Sequence, residues 1–173
     1  MQTFTKRCWA KIDLDALRYN LEHIRKMAPE NAQIMAVVKA NAYGHGDGMV
    51  AAELERNGVN WFCVSNVEEA ISLRKSGITG KILILGMTPV ELASLLVEYK
   101  LVQTVYSPEY AKQLNDRLAA LGKVLECHLK IDTGMGRIGF VHHDGADALD
   151  ELLKVCAMPQ LNPTGIFTHY AVA

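Results

Sequence analysis

The chain has 173 residues, half of them hydrophobic, which is enough for one domain of ordinary size with a buried core. Its formal net charge of -1 argues against a basic surface for nucleic acid or an anionic membrane. A small, neutral or zwitterionic ligand is favoured instead.

The chain alternates short apolar segments, typical of buried strands, with segments whose apolar residues recur at helical spacing. The predicted strands are Trp9–Leu14, Gln33–Val38, Trp61–Ser65, Lys81–Leu85, Val102–Val105, Val124–Ile131 and Asn162–Thr168. The first alternates polar and apolar residues, unlike the apolar runs that follow, and we place it outside the sheet. Strands alternating with helices predict a parallel sheet with right-handed crossovers.

The predicted helices have one apolar face each and marked starts. Their apolar residues are Leu17, Leu21, Ile24 and Ala28; Ala111, Leu114, Leu118 and Leu121; and Leu149, Leu152, Leu153 and Cys156. Two segments, Asn66-Val-Glu-Glu69 and Thr88-Pro-Val-Glu91, place a capping side chain three residues before a glutamate. Ser107-Pro108 predicts a third start.

The targeting and redox signals are those of a cytoplasmic protein. The segment from Met1 to Cys8 has no apolar core for a signal peptide, and no apolar run approaches membrane-spanning length. The cysteines form no C-x-x-C pair, and we expect them to be reduced and mostly buried. They are Cys8, Cys63, Cys127 and Cys156.

Lys39 stands where the predicted strand Gln33–Val38 ends, directly before the segment Ala40-Asn-Ala-Tyr-Gly-His-Gly46. In a barrel of alternating strands and helices, such a lysine points into the mouth of the active site. A partly desolvated amine there can form a Schiff base with a carbonyl compound. The alternative is a lysine exposed to solvent at a strand end. His45 has no second ligand at a suitable spacing, and we predict no metal site.

Two further strands end in segments that carry chemistry. The first is Cys127-His-Leu-Lys-Ile-Asp-Thr-Gly-Met-Gly-Arg-Ile-Gly-Phe140, in which Arg137 lies within a glycine-rich turn. The planar guanidinium of Arg137 suits a carboxylate. A surface salt bridge, for example to Asp132, is the other interpretation. The segment Gly165-Ile-Phe-Thr-His-Tyr-Ala171 carries His169, which could equally be a core histidine with satisfied nitrogens.

These three segments, in this order, closely resemble those of bacterial alanine racemases, and the resemblance extends from Trp9 to Tyr170. It implies an α/β fold of the (β/α)8 TIM-barrel type and pyridoxal 5'-phosphate as cofactor. It further implies interconversion of L- and D-alanine, with D-alanine supplied for peptidoglycan, and a homodimeric full-length protein. Racemisation needs a second proton-transfer group, which in this family is a tyrosine from the second domain of a partner subunit.

The resemblance also implies roles for individual residues. Lys39 carries the cofactor as a Schiff base and moves the α-proton on one face of the substrate. Tyr43 lies beside the cofactor phosphate, and His169 stacks on its pyridine ring. Leu85 contacts the ring edge, although the role of a plain barrel residue is as consistent with its position.

Two basic residues have linked roles in this resemblance. Arg137 contacts the substrate carboxylate and the phenolic oxygen of the cofactor. Lys130 corresponds to a lysine that in many relatives carries a carbamate formed from carbon dioxide. That modification would turn a cation into an anion able to orient Arg137, whereas unmodified Lys130 would repel it.

The length of the chain limits the expected barrel. A closed eight-stranded barrel usually takes about 250 residues, whereas residues 1–173 supply six barrel strands. We therefore expect one incomplete barrel domain from a longer protein, without the second, β domain of the family and with weak or no activity alone. The alternatives are a serine or broad-specificity racemase, a non-catalytic barrel that binds pyridoxal phosphate, or a folded remnant without chemistry.

Overall fold

The computed structural model describes residues 8–172, which form one curved, parallel sheet covered by helices. The strands are β1 (Met35–Val37), β2 (Trp61–Val64), β3 (Lys81–Ile84), β4 (Val102–Val105), β5 (Leu125–Asp132), β6 (Phe140–Val141) and β7 (Leu161–Thr168). The helices are α1 (Leu14–Met27), α2 (Lys39–Tyr43), α3 (Asp47–Arg56), α4 (Val67–Lys75), α5 (Ala93–Glu98), α6 (Pro108–Leu121) and α7 (Leu149–Cys156). A 3-10 turn, Val90–Leu92, precedes α5.

The order of the strands confirms the predicted α/β barrel-type fold. Neighbouring strands pair in parallel from β1 through β5, and β7 pairs with β5 along its length. The two-residue strand β6, which the sequence did not predict, pairs with the end of β5. Within residues 8–172 the sheet is open, because β1 and β7 do not pair with each other. All strand carboxyl ends therefore lie at one edge.

One strand prediction is wrong. Residues 8–13 form no strand, and Leu14 is the first residue of α1. The Asp13 carboxylate accepts hydrogen bonds from the backbone N–H groups of Asp15 and Ala16, so Asp13 caps the helix. No described strand lies alongside this segment, and an alternating pattern needs such a partner to become a strand.

Two of the three predicted helix starts are confirmed, because their side chains accept a hydrogen bond from the first turn of the helix. Asn66 and Ser107 cap α4 and α6, and Pro108 begins α6. Thr88, in contrast, is not a cap: the 3-10 turn begins two residues later, and the buried Thr88 hydroxyl has no described partner. In α6 most of the predicted apolar face is buried. In α7 it is not: Leu149, Leu153 and Cys156 are exposed, since that helix packs through Val155 instead.

Two of the four cysteines are buried, so the expectation of mostly buried thiols holds for half of them. Cys63 and Cys127 lie in the core, whereas Cys8 and Cys156 are exposed. Burial raises the pKa of the Cys63 thiol to about 11 and that of Cys127 to about 12, because the thiolate loses its solvation. No helix within residues 8–172 has the length and apolar character needed to cross a membrane.

The concave face of the sheet is filled by large side chains from strands that are not neighbours. The ring of His128 on β5 lies 5.1 Å from the ring of Trp61 on β2, measured between centroids. Gly165 on β7 leaves room for this imidazole: a Cβ at Gly165 would lie 2.6 Å from Cε1 of His128. The interior is thus closely packed beneath the site at the strand ends.

Replacing Gly165 with alanine should destabilise the protein, because the added methyl group overlaps the His128 ring. We expect the free energy of unfolding to fall by about 1–3 kcal/mol, as for other overpacked interiors. Urea titration followed by circular dichroism measures it, with the exposed neighbour Thr164→Ala as control. Equal stability of the two variants would contradict the close approach of β7 to β5.

Candidate active site

A cavity of about 470 Å³ opens at the carboxyl ends of the strands. It is lined by all six residues predicted from the sequence: Lys39, Tyr43, Leu85, Lys130, Arg137 and His169. Its volume lies within the range of about 300–1,000 Å³ that is typical of small-molecule sites. A cavity of about 540 Å³ lies at the opposite end, around Arg25 and Asn60. We favour the first cavity, because ligands of parallel α/β sheets bind outside the carboxyl ends of the strands.

Lys39 lies at this cavity, directly before an uncommon backbone turn. The four residues from Ala40 to Tyr43 all have φ between 50° and 55°, so α2 is a left-handed turn built without glycine. Gly44 and Gly46 then take positive φ at little cost. The turn reverses the chain between β1 and α3, and it places the exposed ring of Tyr43 at the cavity together with Lys39.

Lys130 is the most buried basic group of the site, with 3% of its surface exposed. Its Nζ donates a hydrogen bond of 2.8 Å to the carbonyl of Ile138. Burial, followed by the nearby positive charge of Arg137, lowers the pKa of Lys130, while Asp132 opposes the shift. A larger neutral fraction makes this amine more nucleophilic than an exposed lysine.

Arg137 is carried by a loop that the Asp132 carboxylate shapes. Asp132 accepts hydrogen bonds from the backbone N–H groups of Gly134 and Gly136, at 3.1 and 3.0 Å, and these bonds lower its pKa. Because the carboxylate is used by the backbone, the suggested salt bridge to Arg137 does not form. The exposed guanidinium is free to meet a ligand at the cavity.

The end of β7 completes the site. Thr168 bonds to the Ile131 carbonyl at 2.9 Å and to the Thr133 hydroxyl at 2.7 Å, which fixes this end against β5. His169 follows it, exposed at the cavity rim. Phe167, two residues earlier, lines the cavity, and its ring lies 6.0 Å from Nζ of Lys130.

Sequence reasoning missed Phe167 and Ser65 as lining residues. The signal for Phe167 was available, because side chains two residues apart in a strand share one face and His169 was already a candidate. Ser65 ends the predicted strand Trp61–Ser65, and its position at the carboxyl end was an equally good indication.

The composition of the cavity defines the ligands that it suits. Three basic side chains, Lys39, Lys130 and Arg137, converge on it. Leu85 and the aromatic rings of Tyr43 and Phe167 add apolar surface. A flat, partly apolar molecule with anionic groups fits this combination. Within the described part of the chain, no group of three or more histidine, cysteine or carboxylate side chains could hold a metal ion.

Comparison with known proteins agrees with this geometry. Residues 12–173 match the family described as "Alanine racemase, N-terminal domain". An alanine racemase from Clostridium perfringens is 43% identical over 173 residues, which are 100% of this chain and 44% of that protein. The protein belongs to the alanine racemase family, and it corresponds to the N-terminal barrel domain of that family.

Solved structures show the same relationship. Alanine racemase from Clostridium difficile 630, in complex with cycloserine, superposes with a TM-score of 0.89 and 38% identity, over 98% of this chain and 46% of that one. A histidine racemase from Leuconostoc mesenteroides superposes with a TM-score of 0.82 and 31% identity, over 92% and 42%. The chain thus spans less than half the length of the relatives that it matches.

The left-handed turn predicts an unusual response to glycine. Ala40→Gly should raise the free energy of unfolding by up to about 1 kcal/mol, because it removes the Cβ that disfavours left-handed angles. The same change in the right-handed helix α6, Ala119→Gly, should lower it by about 0.5–1 kcal/mol. Urea titration compares the two, and equal losses would argue against left-handed angles at Ala40.

Proposed function

We propose that this chain provides the pyridoxal 5'-phosphate site of a racemase that interconverts L- and D-alanine. The observation that carries the proposal is the convergence of Lys39, Lys130 and Arg137 on one cavity with apolar and aromatic walls. This combination fits the cofactor, which has a flat ring, an anionic phosphate and an aldehyde that reacts with amines. When bound, the cofactor makes the α-hydrogen of an amino acid acidic by delocalising the negative charge left behind.

Five of the lining residues have separate tasks in this proposal. Lys39 would hold the cofactor covalently and, as a free amine, take up or return the α-proton on one face of the substrate. Tyr43 and His169 would bind the cofactor phosphate and ring, and Leu85 would limit the space at the ring edge. Arg137 would orient the substrate through its carboxylate, which matches the guanidinium in charge and geometry.

Racemisation also needs a proton-transfer group on the opposite face, because a single base tends to return the proton to the side from which it came. We propose that this group is a tyrosine of a partner subunit in a longer, homodimeric and cytoplasmic protein. The product would be D-alanine for peptidoglycan. On this basis, the 173-residue chain alone should racemise L-alanine little.

A different amino acid is the second candidate substrate. One structural neighbour is a histidine racemase, and its TM-score of 0.82 means that a similar barrel accompanies another substrate. Arg137 suits the carboxylate of any amino acid, so it does not select the side chain. Competition among alanine, serine and histidine in the full-length protein separates these possibilities.

Trapping of the cofactor tests the central role of Lys39. Incubation with pyridoxal 5'-phosphate followed by borohydride should attach the cofactor to Lys39, as identified by peptide mass spectrometry. The variant Lys39→Ala should lose this label, whereas Lys154→Ala, which changes an exposed lysine of α7, should keep it. A label that survives in Lys39→Ala at the same level would refute the assignment.

Lys130 should carry a carbamate in the presence of bicarbonate, because carbon dioxide reacts with neutral amines and burial lowers the pKa of this lysine. We expect native mass spectrometry to show the added mass of one carbon dioxide, increasing from neutral to alkaline pH and lost on acidification. Lys130→Ala should lack it, and Lys154→Ala should retain it. The same added mass in Lys130→Ala would place the modification elsewhere.

A further inference from the structure

The carboxylate of Glu69 holds the backbone directly after Lys39. We propose that Glu69 is a positioning residue, which sets the turn that presents the Lys39 amine to the cofactor; this inference rests on the proposed function. Glu69 lies in the first turn of α4, outside the residues that line the cavity. Three contacts, the backbone conformation and the local charges support this role.

Both carboxylate oxygens of Glu69 are occupied by groups at the site. Oε1 accepts a hydrogen bond of 2.8 Å from the backbone N–H of Ala40. Oε2 accepts bonds from the N–H and the hydroxyl of Ser65, at 2.8 and 2.7 Å. One side chain therefore joins the residue after Lys39 to the end of β2. Charge-assisted bonds of this kind are about twice as strong as neutral ones.

The sequence motif alone predicts a different use of this carboxylate. In a capping box, the glutamate returns to the N–H of its own capping residue, here Asn66. Asn66 does cap the helix, and its side chain accepts a 2.9 Å bond from the N–H of Glu69. The Glu69 side chain, however, reaches past Asn66 to Ser65 and Ala40. Helix capping thus accounts for Asn66 but not for the contacts of Glu69.

The backbone at Ala40 needs such a partner. Directly after β1, the N–H of Val38 donates a hydrogen bond to the carbonyl of Cys63 on β2, and the chain then enters the left-handed turn at Ala40. Left-handed angles are unfavourable for alanine, because its Cβ crowds the following carbonyl oxygen. An external acceptor at the first of these residues offsets part of that cost and fixes where the turn begins, and hence where Lys39 lies.

The charges reinforce this arrangement. Burial by itself would raise the pKa of Glu69, but the bonds from Ser65 and Ala40 and the positive charge of Lys39 outweigh it, so the pKa is lowered. The carboxylate therefore stays ionised at neutral pH. A glutamine has one oxygen acceptor and an NH2 group, which cannot accept from both Ala40 and Ser65.

The test compares Glu69→Gln with Glu68→Gln, which makes the same change at an exposed neighbour on the same helix. Without cofactor, hydrogen exchange of the Ala40 amide should become about tenfold faster in Glu69→Gln only, as expected for a lost bond to a charged group. With pyridoxal 5'-phosphate and borohydride, labelling of Lys39 at a limiting cofactor concentration should fall about tenfold in the same variant.

A variant destabilised far from the site separates positioning from stability. Val155→Ala removes buried side-chain volume in α7 and should lower the free energy of unfolding without changing the Ala40 amide or the labelling of Lys39. If Glu69→Gln behaves like Val155→Ala or like Glu68→Gln, the positioning role is overturned. If the unsubstituted chain gives no Lys39 label, the proposed function fails. The Ala40 exchange rate then decides the inference: a rate unchanged by Glu69→Gln overturns it.

Discussion

Parallel pairing of the strands is the constraint on which the site depends. Because β1, β2, β3, β5 and β7 run in the same direction, residues far apart in sequence arrive at one edge. The central strands β2, β3 and β5 are largely buried on both faces, so their ends offer the room for exposed polar residues. The cavity at that edge follows from the fold, and only the choice of residues at the strand ends makes it basic.

Much of this arrangement could be predicted from the sequence. The apolar run at Val102–Val105 forms the strand over the predicted residues, and the other buried runs shift by one or two residues at their ends. The six candidate residues meet at one cavity because each was chosen at the end of a strand or in the turn after it. Their individual roles remain predictions.

What could not be predicted depends on contacts between distant segments. A helix cap competes with a strand at Asp13, and only the presence or absence of a neighbouring strand decides between them. The left-handed angles of Ala40 to Tyr43 have little local signal: asparagine tolerates them, but alanine and tyrosine usually avoid them. They depend on Glu69, whose motif indicated only a helix start.

The positive charges of Lys130 and Arg137 are not neutralised by the nearby carboxylate of Asp132. Asp132 shapes the loop through backbone bonds, so it does not neutralise Arg137, and the two cations remain close to each other. A carbamate on Lys130 would relieve that repulsion, whereas an anionic ligand would relieve it from the side of the cavity. The site is therefore arranged to gain from negative charge, whichever group supplies it.

The contact between Trp61 and His128 has a geometric consequence. These rings belong to β2 and β5, with two strands between them, and still approach to 5.1 Å between centroids. The Lys81–Glu126 ion pair, at 2.8 Å, likewise joins β3 to β5 across β4. A flat sheet would keep such side chains well apart, since adjacent strands are spaced about 4.8 Å. The described strands therefore already curve as in a cylindrical barrel, although the sheet that they form is open.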